Sequence, residues 1–239
     1  MRPRLQVLLL GVFNLLLYLF LTHISKEFNW GEGYADRPIL TYLAIYFSLS
    51  LLFFAVCAIL SKQSEDRFIF WTIIVFGLIF RFSILPAQQI QEDDVYRYLW
   101  DGKVFGNNIN PFEYAPSEVH EFKQLRIQNP EVFYEVYNER NEKELETLSS
   151  LKWESPKSLK YLERVNHPNV PTIYPPMAQF VFRAVYIFQP DSIFSMRVIF
   201  LIFDVTTMIF IVGILARMGL NKNMSAVYFW CPLIIKETL

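Results

Sequence analysis

The chain has 239 residues, 53% of them hydrophobic, with 23 Phe, 13 Tyr, 5 Trp and a formal net charge of −1. With a mean hydropathy of +0.25, that balance points to the membrane class. It also excludes the strongly basic face that nucleic-acid binding requires, so no nucleic-acid partner is expected. Cys57 and Cys231 lie far apart in apolar runs and read as small hydrophobes, not as a disulfide or metal framework.

A spanning helix needs about 20 mostly apolar residues. Residues 5–22, 39–60 and 68–86 meet or approach that length, and a fourth run covers 193–216. Arg2 and Arg4 before the first run would also suit a signal peptide. The run is long for that role, however, and no small-x-small cleavage site follows, so a retained anchor is expected. Arg2 and Arg4, Lys62 and Arg67, and Arg217 and Lys222 flank the spans so that all three groups fall on one side. The positive-inside rule makes that side cytoplasmic, together with the N-terminus. Segments 23–38 and 87–192 then face outward.

These features divide the chain into three regions. Residues 1–86 hold three N-terminal spans, and 193–239 hold the fourth span and the start of a fifth near Met224. Between them, 87–192 form a large extracytoplasmic loop. About a hundred residues is too long for a structureless connection. Its 118–165 stretch, rich in Glu and Lys with spaced aromatics, reads as surface helices. "TIYPPMAQFVFRAVYIFQPDS" (172–192) holds an apolar helix too short to span, suited to a re-entrant or interfacial position. The fold class expected is an all-α polytopic membrane protein with four to five spans and interfacial helices in the loop.

"QEDDVYRYLWDGKVFGNNINPF" (91–112) carries the densest chemistry. A helix over 93–104, lying on the membrane surface, would be capped by Asp93. Helical spacing puts Asp94, Arg97 and Asp101 on one side, and Tyr96, Tyr98 and Trp100 would sit at headgroup depth. An acidic cap with an internal ion pair accounts for this pattern structurally. The crowding of Glu92, Asp93 and Asp94 adds a second possibility: a carboxylate of raised pKa, or one that binds a cation. Such a carboxylate can act as general base toward a hydroxyl.

Other residues carry weaker signals. "GNNINPFEY" (106–114) reads as a helix-ending turn, and Pro175-Pro176 as a helix start with Tyr174 at its mouth. His167 stands alone and suggests neither a metal site nor catalysis. Arg81, Arg183, Arg197 and Asp204 are charges within apolar runs, where they are costly. Arg81 either snorkels outward or meets a phosphate, and an Arg–Asp pair across helices is the structural explanation for the others. No dinucleotide fingerprint, P-loop, Gly-x-Ser-x-Gly or His-x-x-His is present.

"EDDVYRYLWDGKVFGNNINPFEYAP", then "PTIYPPMAQ", then "FDVTT" within a span and "WCPLIIKE" resemble, in that order, the integral-membrane glycosyltransferases of the GT-C superfamily. The resemblance covers about 80–239 and is nearest to bacterial and archaeal mannosyltransferase-like members. It implies transfer of a hexose from a polyprenyl-phosphate sugar to a hydroxyl of a glycan, lipid or protein acceptor, among the lipids of the plasma (inner) membrane, with inversion. The family's acidic pair matches Asp93 and Asp94, with Asp94 as the base and Glu92 as an extra acid. Arg81 and Arg97 are the nearest cations for the lipid phosphate, Trp100 and Tyr174 are candidates to stack on sugars, and Asp101 lines the same helix side. No cofactor is certain, and a divalent cation is left open. Family members have roughly twice as many spans, so the sequence reads as the front part of a larger protein. A non-catalytic transport or assembly subunit, and more weakly a metal-dependent hydrolase, stay open beside the transferase.

Overall fold

The computed structural model describes residues 2–28, 34–90 and 93–238. The described residues are helical, with no strand. In chain order the helices are α1 (Pro3–Ile24), α2 (Ile39–Leu60), α3 (Arg67–Ile84), α4 (Asp94–Gly106), α5 (Pro116–Gln128), α6 (Pro130–Val136), α7 (Glu139–Leu151), α8 (Ser158–Leu162), α9 (Pro176–Phe188), α10 (Ile193–Arg217), α11 (Ala226–Phe229) and α12 (Pro232–Thr238). Two compact units result: residues 1–90 with 200–239, and residues 91–199.

The first unit is built from helices of membrane length. Pro3–Glu27, Ile39–Leu60, Arg67–Ile84 and Ile193–Arg217 are each long and apolar enough to cross a bilayer. The protein is thus an all-helical chain with four candidate spans, lying where the sequence places them. Local chemistry sets their starts. Pro3 occupies the first turn of α1, where its missing N–H costs nothing. Asp66 caps α3 by accepting from the amides of Phe68 (2.8 Å) and Ile69 (3.2 Å). Leu21, Leu49, Val56, Ile73, Phe80, Phe229 and Trp230 form the interior. Phe13, Phe47, Leu51 and Phe210 point outward, an apolar shell suited to lipid and costly in water.

Two ion pairs gather three basic flanks at one end of this unit. Arg4 meets Asp66 at 2.8 Å, and Lys222 meets Glu65 at 2.9 Å. The N-terminus, the 61–66 link and the segment after α10 therefore share one end, as the charge pattern requires. The start of a fifth span was expected near Met224. A 3₁₀ turn (Lys222–Ser225) and the short α11 and α12 stand there instead. Pro232 interrupts the helical run, and Trp230 anchors the turn by donating its indole N–H to the carbonyl of Ile73 (2.8 Å).

The second unit has a core of its own. Tyr96, Trp100 and Val104 of α4 pack with Phe122, Phe133, Leu148, Leu162 and Val165 from α5, α6, α7 and the α8 region. The Glu/Lys-rich stretch is helical as expected, and its Phe122 and Phe133 close this core, while Tyr134 and Trp153 stay exposed. Helix α4 departs from expectation. It does not lie on a surface but runs through the middle of the unit, with Tyr96 and Trp100 only 4% and 5% exposed. The cause is close packing on α9. A Cβ at Gly102 would collide with the carbonyl oxygen of Phe182, and one at Gly106 with the Tyr186 ring. Glycines four residues apart give α4 a bare stripe on which α9 lies.

Candidate functional site

Asp94 opens α4 and is half-buried. Its Oδ1 lies 3.5 Å from the side-chain amide nitrogen of Asn166, and its carboxylate stands beside the Tyr174 hydroxyl. Burial and the neighbouring Asp94 carboxylate hold the Tyr174 hydroxyl protonated well above the usual tyrosine range. A carboxylate has about four lone-pair positions, so Asp94 keeps acceptor capacity for another hydroxyl. Asp93 occupies the N-cap position of α4, but its side chain does not cap the helix.

One turn on, Arg97 is buried and gives its guanidinium to three carbonyls, those of Asn166 (2.8 Å), His167 (2.9 Å) and Val170 (3.2 Å). It thereby pins the 166–170 loop, in which His167 takes the left-handed conformation at φ 51°. Burial lowers the Arg97 pKa, while the charges of Asp101, Tyr174 and Asp94 work against that shift. His167 contributes its carbonyl here. Among the described residues no three His, Cys, Asp or Glu side chains are gathered to hold a metal.

A further turn on, Asp101 is 2% exposed. Burial raises its pKa to about 6, against the opposing effects of the Thr172 bond, the Arg97 charge and the Gln179 bond. Gln179 of α9 donates from Nε2 to Asp101 Oδ2 (3.2 Å) and Thr172 Oγ1 (3.0 Å). The Tyr174 amide also donates to Thr172 Oγ1 at 3.3 Å. The Tyr174 ring packs edge-on against Tyr98 at 4.9 Å and Phe182 at 5.9 Å between centroids. One network therefore joins Tyr174, Thr172, Gln179 and Asp101, with Asp94 beside the Tyr174 hydroxyl.

Of the residues singled out by sequence, the structure brings together Asp94, Arg97, Asp101 and Tyr174, with Asp93 adjacent. Glu92 lies outside the described residues. Trp100 is in the core, where its ring packs on protein and offers no open face to a sugar. Arg81 belongs to the other unit and is fully buried. Its guanidinium is committed to Asp204, to the carbonyls of Gly77 (2.9 Å) and Phe229 (2.7 Å), and to the Phe229 ring at 3.9 Å. Those contacts occupy the guanidinium in protein, away from any lipid phosphate. Arg183 bonds to Asn108 Oδ1 at 3.1 Å and lies 4.7 Å over the Phe105 ring, where an Arg–Asp pair was expected.

Sequence reasoning missed Gln179, Thr172 and Asn166. Gln179 had a readable signal, as a lone amide one turn after Pro175 in an apolar helix. The other two are loop residues, Asn166 held through its carbonyl by Arg97 and Thr172 through its amide by the Pro111 carbonyl, and no local pattern marks them. Comparison with protein-family models, with curated proteins and with solved structures gives no match, so the chemistry of this site stands on its own geometry.

Proposed function

We propose that the protein transfers a hexose from a polyprenyl-phosphate donor to an acceptor hydroxyl at the extracytoplasmic membrane face, with Asp94 as general base. The observation that carries this reading is the Asp94–Tyr174 pair. A half-exposed carboxylate beside the Tyr174 hydroxyl has open acceptor positions and sits at the start of a helix in a chain that reads as membrane-spanning. The basic flanks joined through Arg4–Asp66 and Lys222–Glu65 support a cytoplasmic N-terminus.

In this mechanism the acceptor hydroxyl gives its proton to Asp94 as its oxygen bonds to the anomeric carbon. The bond from that carbon to the phosphate oxygen breaks, and its electron pair leaves on the lipid phosphate. A single displacement inverts the anomeric centre. Tyr174 orients the base, and Arg97 keeps the 166–170 loop against it.

The test is transfer from a radiolabelled polyprenyl-phosphate hexose in membranes holding the native chain or Asp94→Asn. The expected result is transfer by the native chain and a loss of about 10²–10⁴-fold in the variant, with thermal unfolding unchanged. Undiminished transfer by Asp94→Asn would overturn the assignment of the base. Absence of transfer by the native chain would overturn the activity.

A further inference from the structure

Asp101 is a buried acid that the mechanism above does not use. It is 2% exposed, and Gln179, which meets it from α9, is 1% exposed. Gly102, the next residue, lies so close to the Phe182 carbonyl that α4 and α9 touch through their backbones here. The two side chains are thus held together, and a change of charge on Asp101 must be absorbed by the bonds between them.

Those bonds are incomplete in one respect. Gln179 donates from Nε2 to Asp101 Oδ2 (3.2 Å) and to Thr172 Oγ1 (3.0 Å). Among the described residues no donor reaches Gln179 Oε1, and a buried acceptor left unpaired is costly. An ionised carboxylate accepts only, so Asp101 in that form has no hydrogen to give. A protonated carboxyl does carry a donor. An acid and a primary amide can then exchange two hydrogen bonds, amide N–H to acid oxygen and acid O–H to amide oxygen. The first of these already exists. The second needs one proton on Asp101 and a turn of the terminal amide about a soft torsion.

The consequence reaches Tyr174. Thr172 Oγ1 accepts from Gln179 Nε2 and from the Tyr174 amide (3.3 Å), and the Thr172 hydroxyl stands beside the Asp101 carboxylate. We propose that Asp101 and Gln179 form a proton-operated switch: a proton taken up by Asp101 closes the two-bond pair with the Gln179 amide, loosens both groups' hold on Thr172, and lets the Tyr174 segment shift beside Asp94. The surrounding charges leave this switch open to mild acid. On α4, Arg97 is engaged with the carbonyls of the 166–170 loop, and Lys103 is committed to Asp191 and Glu154, both at 3.0 Å. Asp94 lies about two turns away on the same helix, and Tyr174 is the titratable group of its own segment. The His167 side chain is exposed, and Arg183 of α9 is turned to Asn108. Arg97 is thus the one charge that favours the carboxylate, and burial outweighs it. The switch stands on this network and does not depend on the transferase reading.

The test is a pH titration by nuclear magnetic resonance of the full chain in phosphatidylcholine nanodiscs, with Tyr174 replaced by 3-fluorotyrosine and the glutamine side chains labelled with nitrogen-15. The Gln179 signal is identified by its loss in Gln179→Leu. The fluorine and Gln179 signals should move together between pH 7.5 and pH 4 with one midpoint of about 6. Asp101→Asn puts an amide donor where the protonated acid would be, and should show the low-pH signals at every pH. Thr172→Val should keep the Gln179 response and abolish that of the fluorine. His167→Asn should change neither. Separate midpoints for the two signals, a native-like titration in Asp101→Asn, or a titration lost in His167→Asn would each overturn the proposal. So would a fluorine signal with no step near pH 6, a result that needs none of these variants to fold.

Discussion

Arg81 and Asp204, 123 residues apart in sequence, form a buried ion pair inside the membrane-length helices. Asp204 Oδ1 also accepts from Arg81 Nη2 (3.2 Å) and from the Tyr228 hydroxyl (2.8 Å). The Arg81 guanidinium fills its remaining positions with two backbone carbonyls. This arrangement ties α3 to α10 and to the segment after it. It accounts for both charges without any ligand, because a buried charge is tolerated only when paired and hydrogen-bonded.

Removing one partner should therefore cost far more than removing both. Asp204→Leu leaves a buried guanidinium uncompensated and should lower stability by about 3–5 kcal/mol. The double variant Arg81→Met/Asp204→Leu should recover most of that loss. Thermal unfolding in detergent measures both, and a double variant no more stable than Asp204→Leu would contradict the account.

Asp101 predicts a pH dependence of opposite sign to that of an ordinary paired carboxylate. Its folded pKa is about 6 against an ordinary 3.8, raised by burial and opposed by Thr172, Arg97 and Gln179. Below the ordinary value the group is protonated in both states and imposes no penalty. As pH rises toward 6 the unfolded chain releases the proton first, so stability falls across that window and then levels off. The full displacement corresponds to roughly 3 kcal/mol. Asp101→Asn should unfold at higher temperature than the native chain at pH 7.5, with the difference shrinking to little at pH 4. A difference independent of pH would contradict the burial argument.

The α4–α9 contact predicts opposite outcomes for two glycines. Gly102→Ala drives a methyl group into the Phe182 carbonyl, which as backbone has little room to move. It should destabilise by about 1–3 kcal/mol and disturb the Asp101–Gln179 bond. Gly213 in α10 has nothing within 4 Å of the position a Cβ would take. Gly213→Ala should be neutral or stabilising by up to about 1 kcal/mol. Circular dichroism melts of the two variants, run in parallel, decide the matter.

Topology can be tested with two single cysteines in a Cys57→Ser/Cys231→Ser background. Ser64 and Glu135 are both exposed. A cysteine at 135 should react with membrane-impermeant maleimide in intact cells, and one at 64 only after permeabilisation. The reverse pattern would invert the orientation and move Asp94 to the cytoplasmic face.

The four spans were legible because each meets its length and hydropathy requirement within one contiguous stretch. Pro175-Pro176 announced α9 in the same local way, since a fixed φ and a missing N–H act on the residue itself. Helical spacing also grouped Asp94, Arg97 and Asp101 correctly, because all three ride on one helix. The surface position given to α4 was misread. Its aromatics suit a headgroup layer and a protein core equally, and what separates the two is the bare stripe of Gly102 and Gly106 meeting α9.

By itself, then, the sequence determined the helical class, the spans, the common side of the basic flanks and the stretch that holds the candidate carboxylates. These follow from forces that act within one segment: hydrophobic length, charge placement and backbone restriction. Only the tertiary structure decided that Arg81 serves Asp204, that Trp100 is core, and that Gln179 and Thr172 stand behind Asp101. Each of those depends on which groups from distant segments meet once water is excluded, and a buried charge or amide accepts whichever partner the packing brings within reach.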